Sequence, residues 1–262
     1  MSSVIAMINQ KGGVGKTTTT VNLAAALAAI GKSVLVLDLD PQGNATTGFG
    51  ISKGRGLRSS YGVLLGLIDP MDVVLETYVS GLFIISSTID LSAAEVELFS
   101  QKDRDSKLKQ SISKLEYDYV LIDCPPGFGL ININALNASN KIIIPLQCEF
   151  YALEGLAQLF TTIQSVRNTI NRNLIISGIL LTMYDQRNSL SSMVADDVRA
   201  HFKNLVFNTV IPRNVKISEA SSYGKPIILY DVKSKGAISY IELAREFLSR
   251  ELQRVDSLHV EY

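Results

Sequence analysis

This sequence has no excess of positive or negative charge, and that is its most informative absence. Lys and Arg together number 25 in the 262 residues, and Asp and Glu together also number 25. A chain with zero formal net charge has no overall attraction to nucleic acid or to an anionic membrane, so any such binding would need a local patch of charge. The sequence also contains no internal repeat, no low-complexity stretch and no charged tail.

Long apolar segments are missing as well. No window approaches the ~18 consecutive apolar residues that a membrane-spanning helix needs. The apolar run Val4–Ile8 is too short for a secretory signal, and no basic region precedes it. Cysteine is scarce, because Cys124 and Cys148 are the two in the chain; both lie in apolar runs and they form no CxxC pair. These features predict a reduced, cytoplasmic protein whose cysteines are core residues.

What the sequence does contain is an alternation of short, β-branched apolar runs with longer helical patterns. Several runs are apolar throughout, as expected for strands that helices cover on both faces. The predicted strands are Val4–Ile8, Val34–Leu37, Leu82–Ile85, Tyr119–Ile122, Ile142–Pro145, Leu174–Thr182 and Val206–Ile211. The predicted helices are Lys16–Ile30, Ala93–Phe99, Arg104–Leu115, Leu153–Ile170, Leu190–Phe202 and Ile238–Leu252.

This alternation predicts an α/β fold with a doubly wound, mostly parallel sheet and helices on both faces. No linker divides the chain, so we interpret residues 1–262 as one domain. The least regular stretch is Gly43–Ser60, which is rich in glycine. It is either a mobile loop near a site or a poorly packed surface segment.

A glycine-rich loop, QKGGVGKTT from Gln10 to Thr18, lies between the first predicted strand and the first predicted helix. A phosphate-binding loop needs inward-pointing backbone N–H groups, glycines where a side chain would collide, and a helix N-terminus behind it. Lys16 adds a positive charge for the β- and γ-phosphates, and the Thr17 hydroxyl can coordinate Mg²⁺. The loop therefore predicts a P-loop ATPase that uses ATP and Mg²⁺. Its predicted nucleotide-binding residues are Lys11, Gly12, Gly13, Val14, Gly15, Lys16, Thr17 and Thr18.

The loop departs from the general G-x-x-x-x-G-K-[ST] pattern at its start. Gln10 occupies the place of the first glycine, and a second lysine, Lys11, follows it. Lys11 would lie at the mouth of the loop, where its side chain could leave its own site. Taken alone, it is better interpreted as a solvated surface lysine.

Carboxylates end two of the predicted buried strands. Asp38 and Asp40 follow Val34–Leu37, and Asp123 follows Tyr119–Ile122. Ligands of open α/β sheets bind beyond the carboxyl ends of the strands, and residues two apart in a strand face the same side. Of Asp38 and Asp40, one could help to hold the metal and its waters while the other orients a water on the γ-phosphate; alternatively, both cap helices. Asp123 has the position of an acid on the Mg²⁺ side of such a site.

With these segments together, the chain resembles the ParA/Soj chromosome- and plasmid-partitioning ATPases, within the deviant Walker A class that also includes MinD. The resemblance covers nearly the whole chain and is weakest over Lys53–Val79. The matching runs are Lys11–Thr18, Asp38–Asn44, Asp123–Gly127, Gln147–Leu156, Leu181–Arg187, Ile211–Ser221 and Gly224–Asp231.

The resemblance implies a homodimer that forms when ATP is bound and sandwiches two nucleotides. Lys11 then looks like the signature lysine that crosses to the partner's ATP, and Asp40 like the water-activating acid. Thr17 looks like the direct Mg²⁺ ligand and Asp123 like its outer-shell partner. Two further positions match residues that line the adenine pocket in this family, namely Pro212 and Asn214.

The same resemblance implies non-specific DNA binding and a ParB/Spo0J-like partner that stimulates the ATPase, which would place the protein on the nucleoid. Arg187 and Lys216 match the family's DNA-binding basic residues, although a lysine lacks the planar fork of arginine. Whether the cargo is a chromosome or a plasmid stays open. Further basic residues in the same third of the chain are Arg199, Lys203, Arg213, Lys225, Lys233 and Lys235. Among these, Arg213 could instead serve the nucleotide pocket.

Two rival classes are disfavoured. A MinD-like membrane ATPase would need a C-terminal amphipathic helix rich in Lys and Arg, whereas Gln253–Tyr262 is short and partly acidic, so no stable membrane binding is expected. A nitrogenase-iron-protein-like reductase would need exposed cluster-ligating cysteines, which Cys124 and Cys148 do not resemble. The few residues before the phosphate loop also leave no room for a helix-turn-helix domain, so specific operator binding is not expected.

Overall fold

The structure, a computed structural model, describes residues 2–259, with side chains through residue 253. The apolar runs form one seven-stranded sheet in the order β3-β4-β2-β5-β1-β6-β7. All neighbouring pairs are parallel except β3 with β4. The strands are β1 Ser3–Met7, β2 Val34–Asp38, β3 Val74–Glu76, β4 Leu82–Ile85, β5 Tyr119–Asp123, β6 Lys141–Gln147 and β7 Ile175–Thr182.

The helices flank this sheet on both faces. They are α1 Lys16–Ala29, α2 Asn44–Gly48, α3 Ser60–Leu65, α4 Leu91–Phe99, α5 Lys107–Ile112, α6 Leu130–Ala138, α7 Ala152–Thr169, α8 Ser189–Phe202, α9 Val215–Ser222, α10 Ile227–Tyr230 and α11 Lys235–His259. Short 3₁₀ turns occur at Pro70–Asp72 and Lys203–Leu205. Within residues 2–259, no helix is both long and apolar enough to span a membrane.

The two faces of the sheet carry separate apolar cores, which is why its strands are apolar throughout. Along β2, Leu35 and Leu37 pack into a core with α3 to α8, whereas Val34 and Val36 pack into a core with α1, α2, α9, α10 and α11. Alternate residues of a strand point to opposite faces, so a strand covered on both sides needs no polar position. The predicted doubly wound, mostly parallel sheet is confirmed.

One predicted strand is wrong. The segment Val206–Ile211 forms no strand, because Val206 makes one isolated bridge to Ile179 of β7 and the next bridge, between Pro212 and Tyr184, lies just beyond the segment. Between them, the amides of Asn208 and Thr209 donate to the Glu246 carboxylate instead of to a neighbouring strand. A distant carboxylate on α11 therefore takes the amides in the middle of the segment, while the Phe207 and Ile211 amides at its two ends still donate to β7.

Other parts of the chain also differ from expectation, and the helices α3, α6, α9 and α10 are absent from the predicted ones. The edge strand β3 is absent from the predicted strands, because its three residues VLE are too few to show a period. The stretch Gly43–Ser60 contains a short helix, α2, in which Ala45 and Thr46 are fully buried. This stretch also packs tightly, because a Cβ on Gly224 would lie 2.7 Å from the Cα of Gly50. Both cysteines are buried and free, as predicted.

Candidate functional site

The phosphate-loop residues connect the carboxyl end of β1 to the N-terminus of α1. Gly13 and Gly15 have φ angles of +77° and +90°, in the left-handed region that side chains rarely adopt. Gly15 is the N-cap of α1 and provides no capping side chain, so the first helical N–H groups stay available. Backbone N–H groups at a helix N-terminus form an anion-binding site, which matches the predicted phosphate cradle.

Hydrogen bonds to neighbouring segments of the chain hold the loop in this shape. Asn9 donates from Nδ2 to the Pro145 carbonyl of β6 at 2.8 Å, and Thr182 at the end of β7 donates to the Val14 carbonyl at 2.8 Å. The Gln10 carbonyl accepts from the Gly127 amide at 3.0 Å. The loop is therefore fixed from three sides before any ligand binds.

Lys16 lies within this cradle and is only 6% exposed. Its ammonium donates to the Lys11 carbonyl at 2.9 Å, so the loop's own backbone holds it in place. Burial lowers the pKa of Lys16, an effect that the nearby Asp123 carboxylate partly offsets. A desolvated cation in this position attracts a phosphate more strongly than a solvated lysine would.

Asp38 and Asp123 lie side by side at the carboxyl edge of the sheet, where β2 and β5 pair them in register. Both are fully buried, and the first cause of a raised pKa in each is burial. The Asp38 carboxylate accepts three hydrogen bonds: from the Asp40 amide at 3.2 Å, and from the Thr46 amide and hydroxyl at 2.8 and 2.6 Å. Asp38 therefore organises the turn that follows β2.

Asp123 is less well satisfied. Its Oδ1 accepts from the Thr20 hydroxyl at 3.1 Å, and the nearby Thr17 hydroxyl also acts to lower the pKa of Asp123. Its buried Oδ2 has no partner at normal hydrogen-bond geometry among the described residues. An orphaned, buried carboxylate oxygen is costly unless a cation or a bound water occupies the space beside it. Mg²⁺ prefers oxygen ligands, and the free oxygen of Asp123 is such a ligand, so the Asp123 carboxylate fits a magnesium site.

Asp40 lies at the same edge and is 7% exposed. Its Oδ1 accepts from the Gln42 amide at 2.9 Å, and its carbonyl accepts from the Ser87 hydroxyl at 2.5 Å. Thr46 and Ser87 thus belong to the site, although the sequence reasoning missed both. The signal that could have pointed to Ser87 is its place just after β4, at the edge that carries the carboxylates.

A cavity of about 280 Å³ opens beside the phosphate loop. Gly15 and Thr18 form one side of it, and Pro212 and Asn214, the predicted adenine-pocket residues, form another. Met183, which the sequence reasoning missed, also lines this cavity and has a φ of +49°, a strained value for a side chain of its size. Pro212 and Asn214 therefore lie beside the phosphate loop, and their role in an adenine pocket stays a prediction.

Lys11 lies at the mouth of the loop, with 55% of its side chain exposed. Its ammonium forms an ion pair with Glu149, which follows β6. The next two residues, Phe150 and Tyr151, are exposed aromatics whose rings contact each other edge to face at 5.0 Å. The surface around Lys11 is therefore charged at its centre and apolar beside it.

The two predicted DNA contacts are exposed and paired with acids. Arg187, 88% exposed, donates to both carboxylate oxygens of Asp185 at 3.0 and 2.9 Å, and Lys216 donates to Glu219 at 2.8 Å. Arg187 also lines a cleft of about 540 Å³. Two further cations line this cleft, Arg213 and Lys235. Arg213 lines the 280 Å³ cavity as well.

Comparison with known sequences gives consistent results. A family model described as an AAA domain matches residues 2–176. The chain is 52% identical over 248 residues to the sporulation initiation inhibitor protein Soj of Bacillus subtilis, covering 94% of this chain and 98% of that protein. It is 50% identical over 255 residues to the chromosome partitioning protein ParA of Caulobacter vibrioides, covering 96% of each.

A solved structure shares the fold at lower identity. Cobyrinic acid a,c-diamide synthase of Mycobacterium smegmatis, crystallised with an ATP analogue and magnesium, superposes with a TM-score of 0.81 at 38% identity. The match covers 94% of this chain and 93% of that one.

Proposed function

This chain belongs to the ParA/Soj family of chromosome-partitioning ATPases, and from that premise we propose that it is a Mg²⁺-dependent ATPase that dimerises around ATP, binds DNA without sequence preference and segregates DNA with a ParB/Spo0J-like partner. The observation that carries the proposal is the preformed loop Lys11–Thr18 at the carboxyl edge that also holds Asp38, Asp40 and Asp123. A phosphate cradle and buried acids at one edge are what ATP hydrolysis requires.

The nucleotide would lie across the loop, with its phosphates on the N-terminus of α1 and its base in the 280 Å³ cavity. Lys16 contributes a desolvated positive charge beside the phosphates. The Thr17 hydroxyl and the Asp123 carboxylate would hold Mg²⁺, with Asp38 maintaining the arrangement around them. The metal supplies charge neutralisation on the phosphate oxygens.

Asp40 is the residue that we assign to the attacking water. It is the least buried of the three carboxylates, and hydrogen bonds to its backbone fix its position. A carboxylate held in this way can accept a hydrogen bond from a water and orient it.

Lys11 is assigned to the partner subunit's nucleotide. Two ATP molecules that face each other across an interface repel strongly in a low dielectric, and a lysine from each protomer reduces that repulsion. The Lys11 ammonium projects from the loop, and its present partner is a surface carboxylate. An exposed ion pair of this kind is worth only about 0–1 kcal/mol, so exchanging Glu149 for a phosphate costs little.

DNA binding is assigned to Arg187 and Lys216, together with the cleft cations Arg213 and Lys235. The first turn of α9, which carries Lys216, packs on the start of α11, because a Cβ on Gly236 would lie 2.6 Å from the Ile217 side chain. Phosphate contacts need charge and reach rather than a specific base-reading geometry. Dimerisation would place two such surfaces on one body and so couple DNA binding to ATP.

The deciding experiment combines three measurements on the purified chain. Light scattering with and without ATP reports dimerisation, duplex binding reports the DNA contact, and phosphate release with DNA and a ParB-like protein reports stimulation. The proposal expects all three to depend on ATP. An ATP-bound dimer that ignores DNA but sediments with anionic liposomes would instead support the MinD-like alternative, whose relevant residues, 254–262, lie outside the described side chains.

A further inference from the structure

The Thr46 hydroxyl links two segments of the chain at the candidate site. It donates to Oδ2 of Asp38 at 2.6 Å and accepts from the Ser87 amide at 3.0 Å. The Ser87 hydroxyl in turn donates to the Asp40 carbonyl at 2.5 Å. Four residues therefore form a closed circuit, because the Asp40 amide donates back to Asp38 at 3.2 Å.

Only a hydroxyl can fill the position of Thr46 in this circuit. Asp38 offers acceptors and the Ser87 amide is a donor, so the group between them must donate and accept at once. Thr46, Ser87 and Asp38 are fully buried, so no bulk water can replace a missing partner. Removing the hydroxyl would leave a buried carboxylate oxygen and a buried amide each with an unmade hydrogen bond.

The circuit holds both the backbone amide and the backbone carbonyl of Asp40. The amide is held by Asp38, and the carbonyl is held by the Ser87 hydroxyl and by the Gly43 amide at 2.8 Å. Because a carboxylate that orients water must be placed within a fraction of an ångström, the backbone that carries it must not drift.

We propose that Thr46, acting through Asp38 and Ser87, is a positioning residue for the Asp40 carboxylate and sets the rate of ATP hydrolysis without contacting ATP. This inference rests on the assignment of Asp40 to the attacking water. Ser87 is a second positioning residue, since its hydroxyl links the segment after β4 to the Asp40 carbonyl.

The test compares Thr46→Val, which keeps the shape but removes the hydroxyl, with Thr46→Ser, which keeps the hydroxyl. Thr46→Val should lower kcat by about 10- to 100-fold with little change in KM for ATP, because a small misplacement of a catalytic group costs that much. Thr46→Ser should restore most of kcat. Ser87→Ala, a milder change, should lower kcat in the same direction.

The matched control is Thr47→Val. Thr47 is the next residue of α2, is exposed, and its hydroxyl donates to the Gly43 and Asn44 carbonyls of its own turn. It has the same chemistry and nearly the same place in the sequence, but its hydroxyl bonds to neither Asp38 nor Ser87, so the kcat of this variant should equal that of the wild type. Thermal unfolding of every variant separates a general decrease in stability from a failure of positioning.

The double variant Asp40→Ala/Thr46→Val tests the route of the effect. If Thr46 acts through Asp40, single-turnover hydrolysis should be no slower in the double variant than in Asp40→Ala alone. Fully additive decreases in rate, or a Thr46→Ser variant as slow as Thr46→Val, would overturn the positioning role. Normal turnover in Asp40→Ala would instead remove the Asp40 assignment itself, and the positioning inference with it.

Discussion

Lys11 forms an ion pair with Glu149 of the same chain, 138 residues away in sequence, at the mouth of the phosphate loop. The two side chains are 55% and 31% exposed. A pair this open holds its partners weakly, so Lys11 is both ordered and easily released. That combination is what a lysine needs if it is to leave its own loop for a nucleotide in a second subunit.

The first prediction follows from this pair. Lys16→Ala should abolish ATP binding, whereas Lys11→Ala should retain binding but fail to dimerise, because the positive charge across the interface is removed. Light scattering with ATP, beside equilibrium nucleotide binding, distinguishes the two. Glu149→Gln is the control, since it removes the ion pair but keeps Lys11 and a hydrogen-bonding side chain. It should still dimerise; failure of both Glu149→Gln and Lys11→Ala to dimerise would assign Lys11 to the intramolecular pair.

The second prediction concerns hydrolysis. Asp40→Ala should bind ATP and dimerise but turn over about 10²- to 10⁴-fold more slowly, because a group that manages proton transfer commonly contributes that factor. Phosphate release and light scattering on the same sample measure the two effects. Gln42→Ala is a local control. The backbone amide of Gln42 donates to the Asp40 carboxylate, and the exposed Gln42 side chain takes no part in that hydrogen bond. Turnover at the wild-type rate in Asp40→Ala would move the role elsewhere, first to Asp38.

The phosphate loop and the sheet could be predicted from the sequence because their signals are local. Gly13 and Gly15 must be glycines where φ is positive, and the strand runs are apolar because both faces of the sheet are covered. Asp38 and Asp123 could be paired without a structure because parallel strands end at one edge.

The parts that could not be predicted depend on residues far apart in sequence. Thr46 meets Ser87 across 41 residues, and nothing in either local sequence indicates that contact. The strand predicted at Val206–Ile211 fails for the same kind of reason, because Glu246 accepts the amides of Asn208 and Thr209 from 38 and 37 residues away. Local pattern sets the element, but a tertiary partner decides where its hydrogen bonds go.

The third prediction concerns how the Glu246 carboxylate makes the stability of the fold depend on pH. Burial alone would raise the pKa of Glu246, but the amides of Thr209 and Asn208 and the Arg250 guanidinium outweigh it, so the pKa lies below its usual value. A depressed pKa means that the folded state favours the ionised form. The stabilisation is therefore present above the unfolded pKa and is lost as the pH falls through the lower folded pKa.

Glu246→Gln should lower the free energy of unfolding by about 1–3 kcal/mol near neutral pH, because one amide would then face the NH₂ group. The difference from the wild type should shrink in acid below the usual glutamate pKa. Urea unfolding across pH measures it, with Glu242→Gln as the control, one turn earlier on α11 and exposed. A constant difference at every pH would show that the effect is packing and not the charge.

The last prediction concerns DNA and uses the Asp40→Ala protein, which should remain in the ATP-bound state. Each phosphate neutralised contributes about −0.9 to the slope of log K against log salt, so Arg187 and Lys216 alone, roughly two contacts per protomer, give a dimer slope between about −3 and −4. Each cleft cation that also binds a phosphate makes the slope steeper. Arg187→Ala and Lys216→Ala should each weaken binding equally on all sequences and flatten the slope, without changing dimerisation.

Lys235→Ala extends the test to the 540 Å³ cleft, where Lys235 lies with Arg187 and Arg213. Removing one phosphate-binding cation from each protomer should flatten the dimer slope by about 1.8. Lys233→Ala is the matched control, because Lys233 is an exposed lysine two residues away that does not line the cleft. Equal weakening in Lys233→Ala and Lys235→Ala would mean that a diffuse positive field, and not the cleft, holds the DNA backbone. A salt-insensitive complex would contradict phosphate binding altogether, since binding to phosphate must release counterions.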